Sequence, residues 1–412
     1  MSCSNQKAPR AVSWIRTLLA LSALGSILVC FGCYPTLKQE VQSPEKALKP
    51  VRFFLPSFRD DLDLSSLEQA IRLNLEYLDR LPPDRVFRYG PDEFTCSQVR
   101  ESQKKFLRLI AKGLDPETLK KRIKKEFRVY KAVGRAGNRH VLFTGYFEPI
   151  YEGSLEPDET FRYPLYRPPP DLLTIDLGLF RKAYQGIRLM ARIEDGRILP
   201  YYTRKEIEEE GVLSGKGLEL AWLKDPVEVA FLQIQGSGRL KLKQGGSLCV
   251  GYAAKNGHPF RSIGRYLVER GFLKREELSM QRIQEFLASH PESRDEVLNH
   301  NPSYVFFRSL GQGSVVGNIN VPLTPGRSLA LDSRLFPKGA LAFISTQKPV
   351  LDEKGKIRGW KPFSRFVLNQ DTGGAIRGAG RADLFCGSGP YAEVVAGHLK
   401  HDGDLYILIG KP

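Results

Sequence analysis

The chain has 412 residues, 42% of them hydrophobic and 10% aromatic, enough for two or three folded domains and too apolar for an intrinsically disordered protein. Lys and Arg number 62 against 46 Asp and Glu, a net charge of +16 that favours an anionic partner such as nucleic acid, a membrane surface or an acidic polymer. Only one run, near the N-terminus, is apolar enough to enter a bilayer, which excludes a multi-span membrane protein.

Lys7, Arg10 and Arg16 precede an apolar run from Leu18 to Phe31, and no acidic residue occurs up to Cys33. This is the order of a secretory signal, with an uncleaved anchor as the other reading. The run ends Val29-Cys30-Phe31-Gly32-Cys33, which resembles the cleavage box of bacterial lipoproteins: residues 1–32 form the signal peptide and Cys33 is the lipidation site. Two or more acyl chains on one residue anchor firmly. Loss of residues 1–32 leaves 59 basic against 46 acidic residues, or +13, so the excess belongs to the folded part. Beyond Cys33 only Cys96, Cys249 and Cys386 remain, without CxxC spacing, so no structural zinc is indicated and any disulfide pairing is unassigned.

Residues 34–58 read as a proline-bearing tether. Ser65 and Glu68 have capping-box spacing, and Leu67, Ile71, Leu75 and Leu78 then share one helix face until Pro82-Pro83. Two further helices are predicted over Ser97–Lys112 and Pro116–Phe127, the second with a solvated Lys/Arg-rich face. The period then changes, and Val129–Phe143 reads as a hairpin about a Gly-Asn turn. Tyr163–Pro170 is extended, Leu218–Trp222 and Val227–Gln235 are strand-like, and His258–Phe272 and Ser279–Ser289 are amphipathic helices. From Ser314 on, short strands at 329–331, 341–345, 366–368 and 405–409, with one helix at 391–400, suggest a small β-barrel.

Several chemistries are excluded by pattern. Neither HExxH nor GxSxG occurs, and among His140, His258, His290, His300, His398 and His401 only His398/His401 beside Asp402 form a cluster, so no metal site is expected. Gly236-Ser237-Gly238 lacks the rest of a dinucleotide or phosphate loop and reads as a strand-to-strand turn lining a groove; no cofactor is expected. Carboxylates remain. Asp371 lies in Asp-Thr-Gly-Gly-Ala-Ile-Arg-Gly and Asp383 in Arg-Ala-Asp-Leu-Phe, among glycines that let a bulky ligand approach and apolar neighbours that raise a carboxyl pKa.

These two segments, with Leu329-Ala-Leu-Asp332-Ser-Arg-Leu-Phe-Pro-Lys-Gly upstream, resemble the domain named for its three aspartates. Phe143-Thr-Gly-Tyr146-Phe-Glu148-Pro, Tyr163-Pro-Leu-Tyr166, Phe231-Leu-Gln233-Ile-Gln235-Gly-Ser237-Gly and Val250-Gly-Tyr252-Ala-Ala-Lys-Asn256-Gly complete a set similar to the membrane-bound lytic murein transglycosylase A family, from about Val129 to the C-terminus. Arg377 stands where Lys is common in that family, and Cys386 where an aromatic or polar residue is usual.

The resemblance implies a mainly β fold with helices: a double-psi β-barrel domain interrupted by an inserted, mostly β domain, with glycan in the groove between them. The implied boundaries are a tether at 33–49, the barrel at 50–146 and 317–412, and the insertion at 147–316. The implied activity is that of a peptidoglycan lytic transglycosylase, a carbon–oxygen lyase of exo type in the family, although the residues leave endo action open. It cleaves the MurNAc–GlcNAc β-1,4 bond and leaves 1,6-anhydro-MurNAc ends. The implied place is the outer membrane of a Gram-negative bacterium, lipid-anchored and facing the periplasm. Position 34 is Tyr and not the Asp of inner-membrane retention. Implied partners are glycan strands, the membrane and cell-wall synthesis proteins; nucleic acid is not expected, since a secreted lipoprotein rarely meets it. The catalytic acid/base falls on Asp383 and a supporting aspartate on Asp371, whose charge would raise the Asp383 pKa unless it merely caps the Gly373-Gly374 turn. Asp332 falls, like Asp371, on a supporting position and is grouped with the substrate-binding residues; Tyr146, Glu148, Gln233, Gln235, Ser237 and Asn256 are candidates for holding sugars, whose hydroxyls want planar polar partners. Two rival readings are an inverting endoglycosidase using Asp383 and Asp371, and a non-catalytic wall-binding lipoprotein.

Overall fold

The computed structural model describes residues 41–411, so the signal and Cys33 lie outside the described residues. Eight strands form the main sheet: β1 (Leu48–Val51), β2 (Phe127–Ala132), β3 (Val141–Glu148), β4 (Ser328–Ala330), β5 (Leu341–Leu351), β6 (Ile357–Asp371), β7 (Arg381–Ser388) and β8 (Lys400–Gly410). Their order is β1-β2-β8-β5-β6-β4-β7-β3, and β8 also pairs with β3, which closes the last six into a barrel. Closure leaves no free edge on those strands. Two of its pairs are parallel, β4–β6 and β7–β3. The interior is aliphatic, with Leu329, Ala342, Ile344, Val367 and Ile407 fully buried.

The hairpin expected over Val129–Phe143 does not form. β2 and β3 exist, but β8 lies between them, its Lys400–Gly403 end on β3 and its Tyr406–Gly410 end on β2. A local turn signal loses here to a long-range strand that buries both faces. The tether reading also extends too far, because Leu48 is buried and β1 pairs with β2.

Helices α1 (Leu64–Asp79), α2 (Cys96–Ile110) and α3 (Pro116–Glu126) cover one side of the barrel, where Leu67, Ile71 and Phe106 meet Phe343 and Phe366. The cap of α1 is Asp63 and not Ser65; the Asp63 carboxylate accepts from Ser65 N, while Glu68 pairs with Arg72. An ionised acceptor at the helix start outcompetes a hydroxyl two residues on. The hairpin Val86–Tyr89/Asp92–Thr95 separates α1 from α2, an element the helix-only reading of 65–127 lacked. Arg327, fully buried, holds this layer to the barrel: it donates to Asp60 at 2.6 Å, Ser66 Oγ at 3.0 Å and the Asp63 and Phe366 carbonyls at 2.8 Å.

Between β3 and β4 the chain builds a six-stranded sheet from residues 150–309 and a three-stranded sheet from residues 173–200. Val227–Gln235, read as a strand, is helix α4 (Pro226–Gln235). Asp225 caps it, Pro226 occupies its first turn, and Gly236 ends it at φ +78°, so an all-round apolar run is a buried helix. Gly236-Ser237-Gly238 accordingly joins a helix to a strand, not two strands. The helix predicted over His258–Phe272 is confined to Ile263–Glu269, and that predicted over Ser279–Ser289 is Met280–Ser289.

Candidate active site

Sheet register assembles the site. Ala330 pairs with Asp371 on one side and with Asp383 on the other, and Asp383 pairs with Thr144. One row therefore runs Asp371, Ala330, Asp383, Thr144 across β6, β4, β7 and β3. A bulge makes this alignment: Leu329 pairs with Asn369 and Ala330 with Asp371, so Gln370 is the extra residue. Gln370 is fully buried, bonded to Ala70 O and Ser328 Oγ. Without the bulge, Gln370 would take the place of Asp371 opposite Ala330.

The Thr144 hydroxyl donates to Asp383 Oδ1 at 2.6 Å, and Oδ2 accepts no hydrogen bond among the described residues. Burial raises the Asp383 carboxyl above the usual range, against the opposing pull of Thr144 and Arg381. Burial, rather than the Asp371 charge expected to do so, thus dominates that rise. Asp371 accepts from the Tyr146 hydroxyl at 2.8 Å, Thr372 N at 2.8 Å and Asn318 N at 3.0 Å. It does not cap the Gly373-Gly374 turn; it ties β6 to the 317–320 loop. Burial pushes Asp371 up to about 6, with Asp383 adding to the rise. The Cys386 thiol is pushed up to about 12 by burial and then by Asp383, so it stays protonated and packs as a small apolar group.

A cavity of about 910 Å3 opens beside this row, lined from the barrel side by Asn318, Asp371–Ala375 and Arg377, and from the inserted sheet by Gln233–Ser237, Tyr252, Lys255 and His258. Gln233, Gln235, Ser237 and Asp371 therefore come together, and Asp383 lies in the same row as Asp371, one strand beyond Ala330. Arg204 donates to Gln233 Oε1, which leaves the buried Gln233 Nε2 without a partner among the described residues, and Gln233 lines the cavity. Gln235 Oε1 accepts from Phe147 N at 3.2 Å, joining α4 to the barrel strand β3.

Four expected binding residues are held elsewhere. Tyr146 is spent on Asp371. Glu148 pairs with Arg239 at 3.2 Å. Asn256 donates to the Tyr202 and Pro302 carbonyls and accepts from Tyr304 N. Asp332 is fully buried, so it cannot reach a glycan; it accepts from both sides of the Arg334 guanidinium and from Gly378 N. Burial pushes its carboxyl up, but those donors outweigh it and the pKa lies below the usual value. It braces the loop after Asp371.

Thr144, Asn318 and Arg204 are functional neighbours that the sequence reading missed. Thr144 was legible, since it precedes Tyr146 by two residues and a strand places both on one face. Asn318 acts through its backbone and Arg204 comes from a distant helix, so neither left a local signal. Among the described residues, Cys96, Cys249 and Cys386 are free. His398 Nδ1 lies 2.9 Å from Val394 O and His401 packs at a tilt against Trp360, ring centroids 4.1 Å apart, so the two histidines are engaged separately.

Comparison with known proteins agrees with this architecture. Residues 142–308 match the MltA specific insert domain and residues 327–409 the 3D domain. Membrane-bound lytic murein transglycosylase A of Vibrio cholerae is 33% identical over 298 residues, 71% of each chain, and that of Escherichia coli K12 is 34% identical over 275 residues, 66% of this chain and 67% of the relative. The crystal structure of a membrane-bound lytic murein transglycosylase from Agrobacterium tumefaciens superposes with TM-score 0.71 at 33% identity, covering 88% of this chain and 98% of the other. Escherichia coli MltA with bound chitohexaose gives 0.66 at 28% identity, covering 92% and 100%. Barrel, inserted sheet and relatives together define a lytic transglycosylase. The chain belongs to the membrane-bound lytic murein transglycosylase A family.

Proposed function

We propose that the protein cleaves the MurNAc–GlcNAc β-1,4 bond of peptidoglycan and leaves 1,6-anhydro-MurNAc ends, with Asp383 acting first as acid and then as base. The observation that carries this reading is the state of Asp383: half-buried, raised in pKa, held at Oδ1 by Thr144 and free at Oδ2. A raised pKa keeps a proton on the carboxyl near working pH. Protonated Asp383 gives that proton to the glycosidic oxygen as the C1–O bond breaks. The substrate's own N-acetyl oxygen stabilises the positive centre at C1. The Asp383 carboxylate then removes the C6 hydroxyl proton, O6 bonds to C1, and no water is consumed.

Hydrolytic glycosidases use a second carboxylate as nucleophile or base. Asp371 is engaged by three donors, which favours a fixed electrostatic role near C1 over water activation and disfavours the inverting reading. Gln233, Gln235 and Ser237 line the cavity and would hold sugar hydroxyls, and the basic lining suits the peptide carboxylates of peptidoglycan. A lipid anchor at Cys33 in the outer membrane completes the reading; among the described residues no helix is long and apolar enough to cross a membrane. Digestion of purified sacculi tests the function: wild type should release anhydro-muropeptides, and Asp383→Ala none.

A further inference from the structure

The three-stranded sheet carries an unexplained surface. Its strands, Leu173–Asp176, Arg188–Glu194 and Arg197–Pro200, attach by one face: Met190 packs on Gly257, and the Arg192 guanidinium lies 3.9 Å over the Tyr202 ring. On the opposite face, register aligns Ile175 with Leu189 and Ile193 with Ile198. That outward face is wholly apolar: around the buried Ala191, Leu189 is 49%, Ile193 63% and Ile198 64% exposed. An antiparallel sheet with one solvated face normally turns polar residues outward. The loop beyond it continues the pattern, with Leu179 86% and Phe180 73% exposed at its tip. Large exposed apolar residues gathered on one small sheet and its loop mark an interaction site.

Charge identifies the occupant. Asp176 pairs with Arg188 and Glu194 with Arg192, Arg197 lies cross-strand from Glu194 on the attached face, and the 177–187 loop carries Arg181 and Lys182 with no acidic residue. A second copy docked symmetrically would set those cations against their equivalents. An anionic lipid surface complements them, while the apolar residues enter the headgroup–acyl boundary. We propose that residues 173–200 form a membrane-docking face, with the Leu179-Phe180 tip inserted and Arg181 and Lys182 at the phosphates. This contact is independent of Cys33 and of the catalytic reading; it would hold the inserted sheet against the bilayer as well as tether the chain.

The chain from Val41 on is a compact unit with its own cores, so it serves for the test without residues 1–40. It should co-sediment with phosphatidylethanolamine/phosphatidylglycerol vesicles and far less with phosphatidylcholine alone. Leu179→Ser/Phe180→Ser and, separately, Arg181→Glu/Lys182→Glu should each lower partitioning at least about tenfold, with unchanged melting temperature and sacculus binding. Failure of the wild type to bind anionic vesicles, or equal binding by both variants, would overturn the proposal. So would a concentration-dependent dimer that Leu179→Ser/Phe180→Ser abolishes, since a second copy would then cover the face.

Discussion

Asp371 and Asp383 flank the same residue, Ala330, which is the register partner of both. Two strand spacings put their Cα atoms about 10 Å apart. A small side chain is required between them, because Ala330 is buried against Tyr146, Ile376 and Phe385. Ala330→Leu should cost about 1–3 kcal/mol by overpacking and abolish turnover, checked by thermal melting and sacculus digestion.

Thr144 is a positioning residue for Asp383. Its hydrogen bond favours the anion, so Thr144→Val should move the alkaline limb of the rate profile upward by about one pH unit and lower kcat on the order of tenfold. Thr144→Ser, which keeps the donor, should restore both. A purely structural role would leave the limb in place.

Asp371 makes stability depend on pH. Its folded pKa, about 6, lies above that of an unfolded aspartate, so its contribution is fully present below pH ~4 and lost as pH rises through 6. Asp371→Asn should remove that loss, on the order of 3 kcal/mol by pH 7, and flatten the dependence of melting temperature on pH between those values. Its kcat should fall, because the charge near C1 is gone.

Arg327 is buried with four acceptors, of which Asp60 alone is charged. Asp60→Ala strands that guanidinium and should destabilise the chain by about 3–5 kcal/mol, read from urea denaturation.

Much of this was legible in the sequence where local signals and the global fold agree. The barrel strands, the three N-terminal helices and the motif carrying Asp371 and Asp383 are such cases. Legibility failed where a distant element decided. β8 enters between β2 and β3 and removes a hairpin that the Gly-Asn turn advertised. Asp225-Pro226 and Gly236 bracketed α4 in plain view, but an apolar run of ten residues has no period of its own. The bulge at Gln370, which sets the alignment of Asp371 with Asp383, depends on burial against Ala70 and leaves no trace in spacing. Asp332 stands in the motif as a supporting aspartate, but its grouping with the glycan contacts does not fit a buried side chain that braces a loop.

The most direct test is digestion of sacculi by the wild-type protein in water enriched in heavy oxygen, followed by mass spectrometry of the new MurNAc ends. Asp383 working alone, with the C6 hydroxyl as attacking group, predicts anhydro ends lighter than hydrolytic ones by one water and free of label. Heavy oxygen at the newly formed C1 would contradict that mechanism and make Asp371 or another group the activator of a water molecule.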